Sequence, residues 1–377
     1  MGKSSLRSSN FELLRIFAML AIIGYHFFLQ TAAYTATSFP VSHGIAMFLG
    51  SFGRSGVNVF VIIGAWFLID GRFSSMRIIR LYISCLLYAT VITAVVIGLK
   101  LSSPPLGGGA AAKALLRVLT PFSSSPLWFV TDYLFLLLLS PFLNVFISKV
   151  SSQSYRMLYW ILLIVFVFVP TVESMIPGFG IYKYYVVKSD IMCMISLYLI
   201  VGYWKRCCEP WFASGHRPWM CMIVMIICAA VLCIGDHLTG VLKVPMSVGK
   251  KYHEFLEYLF MDLSSAFSVV FAAVAFFSFR QLDFSSSFVN RVARNTLGVY
   301  IIHQTPVFIP VMWSVFRVND MLGSKCFLFY ELAVIAVVFA GCAIIDSLAS
   351  IVVSQVLKRN CIVKLCSFWD SHVNSAS

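Results

Sequence analysis

Residues 10–29 read Asn10-Phe-Glu12-Leu-Leu-Arg15-Ile-Phe-Ala-Met-Leu-Ala-Ile-Ile-Gly24-Tyr-His26-Phe-Phe-Leu29, and this stretch decides the fold. From Ile16 to Leu29 it is apolar apart from one imidazole, a pattern that suits a bilayer-spanning helix. A cleaved signal peptide competes for the same pattern, since Thr31-Ala32-Ala33 follows. Glu12 and Arg15 lie within the first turns and the pattern continues upstream of them, which favours an uncleaved helix. Comparable blocks recur along the chain. We read ten spans, at about 10–32, 45–69, 78–99, 126–148, 156–173, 184–203, 218–236, 256–278, 295–316 and 328–355.

Composition agrees with that reading. Of 377 residues, 60% are hydrophobic and 11% are charged, with a mean hydropathy of +0.90. A soluble domain carries roughly 25% charged residues, so a chain this apolar cannot cover itself with polar surface. Disorder is excluded because it needs low hydrophobicity and high charge. Membrane barrels are excluded because their strands are about 9–11 residues of alternating pattern. The expected fold is an all-α, polytopic membrane bundle of about ten helices.

The net charge of +13 comes from 28 Lys and Arg against 15 Asp and Glu. Basic loops that orient membrane helices account for it. No Lys/Arg-rich run with interleaved aromatics points to nucleic acid. With the N-terminus inside, basic residues on the inner side outnumber those on the outer side by 16 to 10. Both termini are therefore expected in the cytoplasm. The loop 33–44 has no Lys or Arg, whereas Arg72 and Arg77 lie in the segment 70–77.

One domain is expected over 1–377. The connection after Pro104-Pro105 opens as a turn and linker, and Ala110–Leu119 reads as a short amphipathic surface helix. The tail ending at Ser377 reads as short and polar, with no lipidation signal. Six of eleven cysteines sit in apolar blocks, where Cys behaves as a small hydrophobe. Cys207-Cys208 and Cys361…Cys366 match no zinc spacing, so no metal site is assigned. His43, His237 and His253 fall in expected outer loops, His216 in an inner loop and His372 in the tail; none receives a function.

Ionisable residues inside a span cost several kcal/mol, on the order of 3 for Arg at a helix centre. Arg15 and His26 are eleven residues apart, which is three turns plus about 20°, so both project from one helical face about 16 Å apart. Such a face could hold the phosphates of an anionic, long-armed donor on Arg15 and its reactive end at His26. An imidazole suits proton transfer at neutral pH. Against this stand a snorkelling Arg15 and a packing His26. Glu12, three residues from Arg15, would hold it in place. Asn58, in Gly56-Val-Asn58-Val-Phe60, needs a partner, and Gly53, Gly56 and Gly64 permit close helix approach. Arg54 snorkels at the outer end of its span or meets a substrate. Arg77 and Arg80 share a face that binds phosphates or simply sets topology. Trp128 stacks on a sugar or anchors the interface, and Asp132 is an acid/base candidate about one turn deeper.

These residues carry a family resemblance. Arg15, ten intervening residues and His26, preceded by Glu12, resemble the first-helix signature of the membrane acyltransferase-3 family, which often has Asp at the position of Glu12. Gly56-Val-Asn58-Val-Phe60-Val-Ile-Ile63-Gly64-Ala-Trp66-Phe67 resembles its second-helix motif, with Ile63 where Ser is usual. Trp128-Phe129 with Ser140-Pro141, and Leu297-Gly298-Val-Tyr300-Ile-Ile-His303, resemble two later motifs in the family's order.

The resemblance implies transfer of an acyl group, often acetyl, from cytoplasmic acyl-CoA to a hydroxyl of an envelope glycan or lipid-linked sugar. It places the catalytic His at His26 and its paired Arg at Arg15. The basic donor loop maps onto Arg77 and Arg80, with Arg72 a looser match. His303 enters from motif as a second polar group facing His26 or as a packing residue. The polar pocket would lie among the first, second, fourth and ninth spans. Acyl-CoA is a co-substrate and no cofactor is bound; the setting is a multi-pass bacterial plasma membrane. The chain is expected to lack an appended esterase-like domain, so transfer is completed by the membrane part or with polysaccharide-assembly proteins. A transporter or flippase, a glycan polymerase and a non-enzymatic sensor are the competing classes. The first usually shows repeated halves, and no repeat is found here.

Overall fold

The computed structural model of the chain describes residues 9–36, 38–101, 108–109, 112–113, 125–175, 189–208, 218–241 and 246–376. Every regular element among them is helical. In chain order these are α1 (Ser9–Gln30), α2 (Pro40–Gly50), α3 (Gly53–Leu68), α4 (Ser75–Gly98), α5 (Trp128–Lys149) and α6 (Ser152–Met175, with a π turn at Ile164–Phe168). Next come α7 (Asp190–Cys208), α8 (Pro218–Val241), α9 (Met246–Met261), α10 (Ala266–Arg280) and α11 (Ser287–Ala293). The short α12 (Thr296–His303), α13 (Ile309–Val315) and α14 (Val318–Met321) precede α15 (Phe327–Leu357) and α16 (Asn360–Ala376). The surface helix expected over Ala110–Leu119 falls, apart from residues 112–113, outside the described residues.

Nine helical segments among the described residues are long and apolar enough to cross a membrane. The protein is thus an all-α, multi-pass membrane protein. Its outer faces fit lipid: along α8 only 11% of the most apolar window is buried, and Val224, Ile227, Val231 and Ile234 are exposed. Large exposed apolar faces of this kind are stable in hydrocarbon and not in water.

The tenth expected span, 295–316, is not one helix. It is α12 and α13, separated at Gln304–Phe308. Pro306 and Pro310 lack the N–H groups a continuous helix needs, and each disfavours helical geometry in the residue before it. Three other expectations change in detail. The span 45–69 is the helix pair α2 and α3, joined at Ser51-Phe52. The span 256–278 is interrupted between α9 and α10, where Ser265 Oγ caps α10 by accepting from the Ser268 N–H at 3.1 Å. The tail, read as short and polar, is the helix α16, whose Phe368 and Trp369 are exposed while Cys366 is buried.

The described chain divides into two compact units. The first holds Met1–Phe67, Lys149–Arg294 and Val318–Ala336. Its centre is α1 packed on α2, α10 and α11. The beginning of α1 is tied down by polar contacts: Ser9 Oγ donates to Asn290 Oδ1 (2.9 Å) and accepts from the Ser286 N–H (2.9 Å), while Asn10 Nδ2 donates to the Leu282 carbonyl (3.0 Å). Gly56 lets α3 lie against α1, because a Cβ there would stand 2.6 Å from the Ala18 carbonyl oxygen. Small residues do this where van der Waals contact must hold membrane helices together.

The second unit holds Leu68–Ser148, Asn295–Arg317 and Val337–Ser377. Here Tyr88 on α4 donates a hydrogen bond to Asp346 on α15, and both are buried. Asp346 occupies the space beside Gly298 of α12. Asn295 Nδ2 donates to Ser347 Oγ (2.7 Å). Tyr300 donates to the Pro126 carbonyl (2.9 Å), and its ring meets Phe129 edge-on at 5.5 Å.

Candidate functional site

In the first unit the site begins with α1, which runs unbroken from Ser9 to Gln30. Arg15 and His26 therefore keep their common face and their separation of about 16 Å. Arg15 Nη1 donates to both Glu12 carboxylate oxygens, at 3.0 and 3.2 Å. Glu12 is buried and the Arg15 side chain is 29% exposed, so the pair is fixed on one side and accessible on the other.

Further cations gather at this end. Phe11, next to Glu12, stacks on Phe276 (5.1 Å) and meets Phe67 edge-on (5.5 Å). Phe276 in turn touches Trp66 (5.2 Å). The Trp66 ring carries Arg280 at 4.7 Å and Lys205 at 5.0 Å, and Lys205 Nζ donates to the Trp66 carbonyl at 2.6 Å. In sequence, Lys205 and Arg280 belong to the 16 inner-side basic residues whose count sets the orientation. Cations within about 6 Å of a tryptophan face are attracted by its quadrupole.

His26 is buried, with its ring 5.4 Å from that of Tyr25. Tyr25 links it to the second motif. Arg54 Nε donates to the Tyr25 hydroxyl at 3.1 Å and to the Met261 carbonyl at 2.9 Å. Its guanidinium lies over the Tyr25 ring at 5.1 Å. Asn58, fully buried, donates through Nδ2 to the Leu263 carbonyl at 2.8 Å. The partner that Asn58 needed is thus the interrupted backbone between α9 and α10. Irregular backbone at membrane depth exposes carbonyls that must be satisfied, and Arg54 and Asn58 satisfy two of them. Asp262 steadies the break by accepting from the Ser264 N–H (2.9 Å) and hydroxyl (2.6 Å). The carboxylates of Asp190 and Asp262 also act on Arg54. The signal available in sequence was Asp262 followed by Ser264-Ser265 inside an apolar block.

The helix that packs on the second half of α1 carries a buried carboxylate that sequence reasoning passed over. Phe27 meets Phe327 and Tyr330 of α15 (6.3 and 6.4 Å). On that helix, Glu331 is fully buried, and neither carboxylate oxygen is hydrogen-bonded among the described residues.

In the second unit, Trp128 and Asp132 are half-buried at the start of α5. His303, on α12, is fully buried and holds the Val299 carbonyl at 2.6 Å through Nδ1, which leaves Nε2 as the basic nitrogen. A cavity of about 570 Å³ opens among Asp70, Arg72, Ser140, Asn144, Ser148 and Asn374. That volume is within the range of small-molecule sites, roughly 300–1,000 Å³. Helix α16 builds one wall: Asp370 accepts from the Ser75 N–H (2.7 Å), and Asn374 exchanges two hydrogen bonds with the Phe73 backbone (3.0 and 3.1 Å). Arg72 lines this cavity with its side chain exposed; Arg77 and Arg80 are exposed on α4 and do not line it.

Fold and composition define a multi-pass helical membrane protein whose intramembrane charges are organised rather than scattered. Residues 8–347 match the acyltransferase domain of the acyltransferase-3 family. The chain therefore belongs to that family of polytopic membrane acyltransferases and is a transferase by membership; α16 lies beyond the matched residues. No curated protein and no solved structure matches the chain.

Proposed function

We infer that the protein moves an acyl group, most simply acetyl, from acyl-CoA to a hydroxyl of a surface glycan or lipid-linked sugar. The observation that carries this reading is the Glu12–Arg15 ion pair at one end of a helix whose other half bears buried His26 on the same face. With both termini cytoplasmic, as the basic loops favour, the Arg15 end faces the pool of acyl-CoA. Donor phosphates meet Arg15, with Lys205 and Arg280 adding positive potential, and the exposed guanidiniums of Arg72, Arg77 and Arg80 draw the anion from solution. Trp128, Asp132 and His303 belong to the acceptor side of the reaction, as do Arg54 and Asn58.

In the proposed step the acceptor hydroxyl oxygen attacks the thioester carbonyl. The C–O bond forms, the C–S bond breaks, and the hydroxyl proton passes through His26 to the departing thiolate, giving an ester and free CoA. His26 is buried, so the proton transfer is kept away from bulk water. A transient acyl-His26 would satisfy the same balance; it differs in leaving a hydroxylamine-sensitive label on the protein when no acceptor is supplied. Family membership supports acyl transfer, and the acceptor rests on analogy. The test is transfer of radiolabel from acetyl-CoA to membrane glycans. Acceptor-bound label in wild type supports the reading. If acetyl-CoA and longer donors all fail, a transporter of lipid-linked glycan is the better description.

A further inference from the structure

At the end of the first unit opposite Arg15, three helices bring together residues far apart in sequence. His43 comes from α2, Asp236 from α8 and His253 from α9. One nitrogen or oxygen from each lies within 4.8 Å of the other two. His253 Nδ1 is 3.1 Å from Asp236 Oδ2, and the two imidazole rings are 5.8 Å apart. The cluster is largely sheltered: His43 is buried, and the Asp236 and His253 side chains are 13% and 33% exposed. Sequence reading had placed His43 and His253 in loops; both are helical.

Hydrogen bonds around the cluster orient its donors. His43 Nδ1 lies 3.0 Å from the Ala33 carbonyl, an obligatory acceptor, so Nδ1 carries the proton and Nε2 offers the lone pair. Donation of the second ring nitrogen to a backbone carbonyl is what fixes a ligating histidine in metal sites. Glu257 stands one shell out. Its Oε1 is 3.7 Å from His253 Nε2 and accepts from the Tyr34 hydroxyl at 2.7 Å. That hydrogen bond, with partial burial, pushes the Tyr34 phenol up to about 12, so it remains a donor at neutral pH. Helix α9 is locked to α8 just beside the cluster by the Tyr252 hydroxyl, which donates to the Leu232 carbonyl (3.0 Å). The donors therefore sit on packed helices rather than on loops.

We propose that His43, Asp236 and His253 form a binding site for a divalent transition-metal ion, zinc by its donor chemistry. Two imidazole nitrogens and one carboxylate oxygen are a set zinc takes readily, whereas calcium and magnesium prefer oxygen alone. Three protein donors leave a fourth tetrahedral position, the arrangement of sites that hold water or a ligand rather than of closed structural sites. The ion would also join α2, α8 and α9 at the end of the unit away from Arg15. This site is separate from the Arg15–His26 face and stands whether or not the acyl-transfer reading does.

The test uses the full chain, purified in detergent with any affinity tag removed, stripped with chelator and dialysed. Metal content after zinc reconstitution, and a cobalt(II) titration followed in the visible, are read for wild type, Asp236→Asn and His253→Gln. The expected result is one zinc per wild-type chain and an intense tetrahedral cobalt spectrum that zinc abolishes. Each variant should weaken binding by at least the roughly 10–100-fold that loss of even an outer partner costs. Asp236→Asn keeps an acceptor for His253, so folding is preserved while the anionic donor is lost. If a variant fails to fold, the wild-type titration decides alone. A wild type that retains no zinc and gives no tetrahedral cobalt spectrum overturns the proposal, as does binding unchanged in both variants.

Discussion

The two ends of the first unit carry different chemistry and were differently visible in the sequence. At one end, Glu12, Arg15, Lys205 and Arg280 collect cations around Trp66 and a fixed carboxylate. At the other, His43, Asp236, His253 and Glu257 collect lone pairs. In the roles proposed above, the first end would meet an anion and the second a cation, with His26 on the helix that runs from the first end toward the second. Glu12, Arg15 and His26 share one helix, so helical spacing alone placed them on one face. The second cluster draws on three helices, and no spacing within any of them announces it.

The same contrast separates what was legible from what was not. Apolar blocks revealed the membrane helices because a span must satisfy its own backbone and so imposes length and composition. Glycine at position 56 read correctly as a close approach of helices. The breaks did not read, because each lapse in hydrophobicity is short: Asp262–Ser265 interrupts a span that remains apolar on both sides. Helix α16 was missed because its apolar residues are spaced as a narrow stripe, and two of its polar residues, Asp370 and Asn374, proved to be contacts with Ser75 and Phe73. Glu331 was passed over because one carboxylate in an apolar block shows no partner in sequence, and its oxygens have none among the described residues either.

The comparison can be broken or sharpened in several ways. His26→Ala should have the largest effect, lowering kcat for acyl transfer by about 10²–10⁴-fold at matched protein levels, the usual worth of a positioned base. A loss below about tenfold in a transfer assay would remove the imidazole from the chemistry. Arg15→Ala should come next, raising donor KM by about 10–100-fold, because a charged hydrogen bond to substrate is worth about 1.5–3 kcal/mol. Glu12→Gln should give the same direction with a smaller rise, since Arg15 keeps its charge but loses its anchor.

Gly56→Ala tests the packing that sets α3 against α1. Its Cβ would press on the Ala18 carbonyl, and overpacking of this kind costs about 1–3 kcal/mol. A lowered melting temperature in detergent is expected; an unchanged one would mean that the two helices separate freely. Glu331→Met should have the smallest effect and the opposite sign. It removes two buried, unsatisfied oxygens at similar volume, so stability should rise by about 1 kcal/mol. A destabilised Glu331→Met would indicate that the carboxylate is satisfied in the membrane.

The most direct test of the central claim is a donor titration with labelled acetyl-CoA, comparing wild type, Arg15→Ala and His26→Ala in the same membranes. If donor binding and chemistry are divided along α1, Arg15→Ala raises KM while most of kcat survives, and His26→Ala loses kcat with KM little changed. Equal transfer in all three, or the same loss of kcat and KM from both substitutions, would contradict that division.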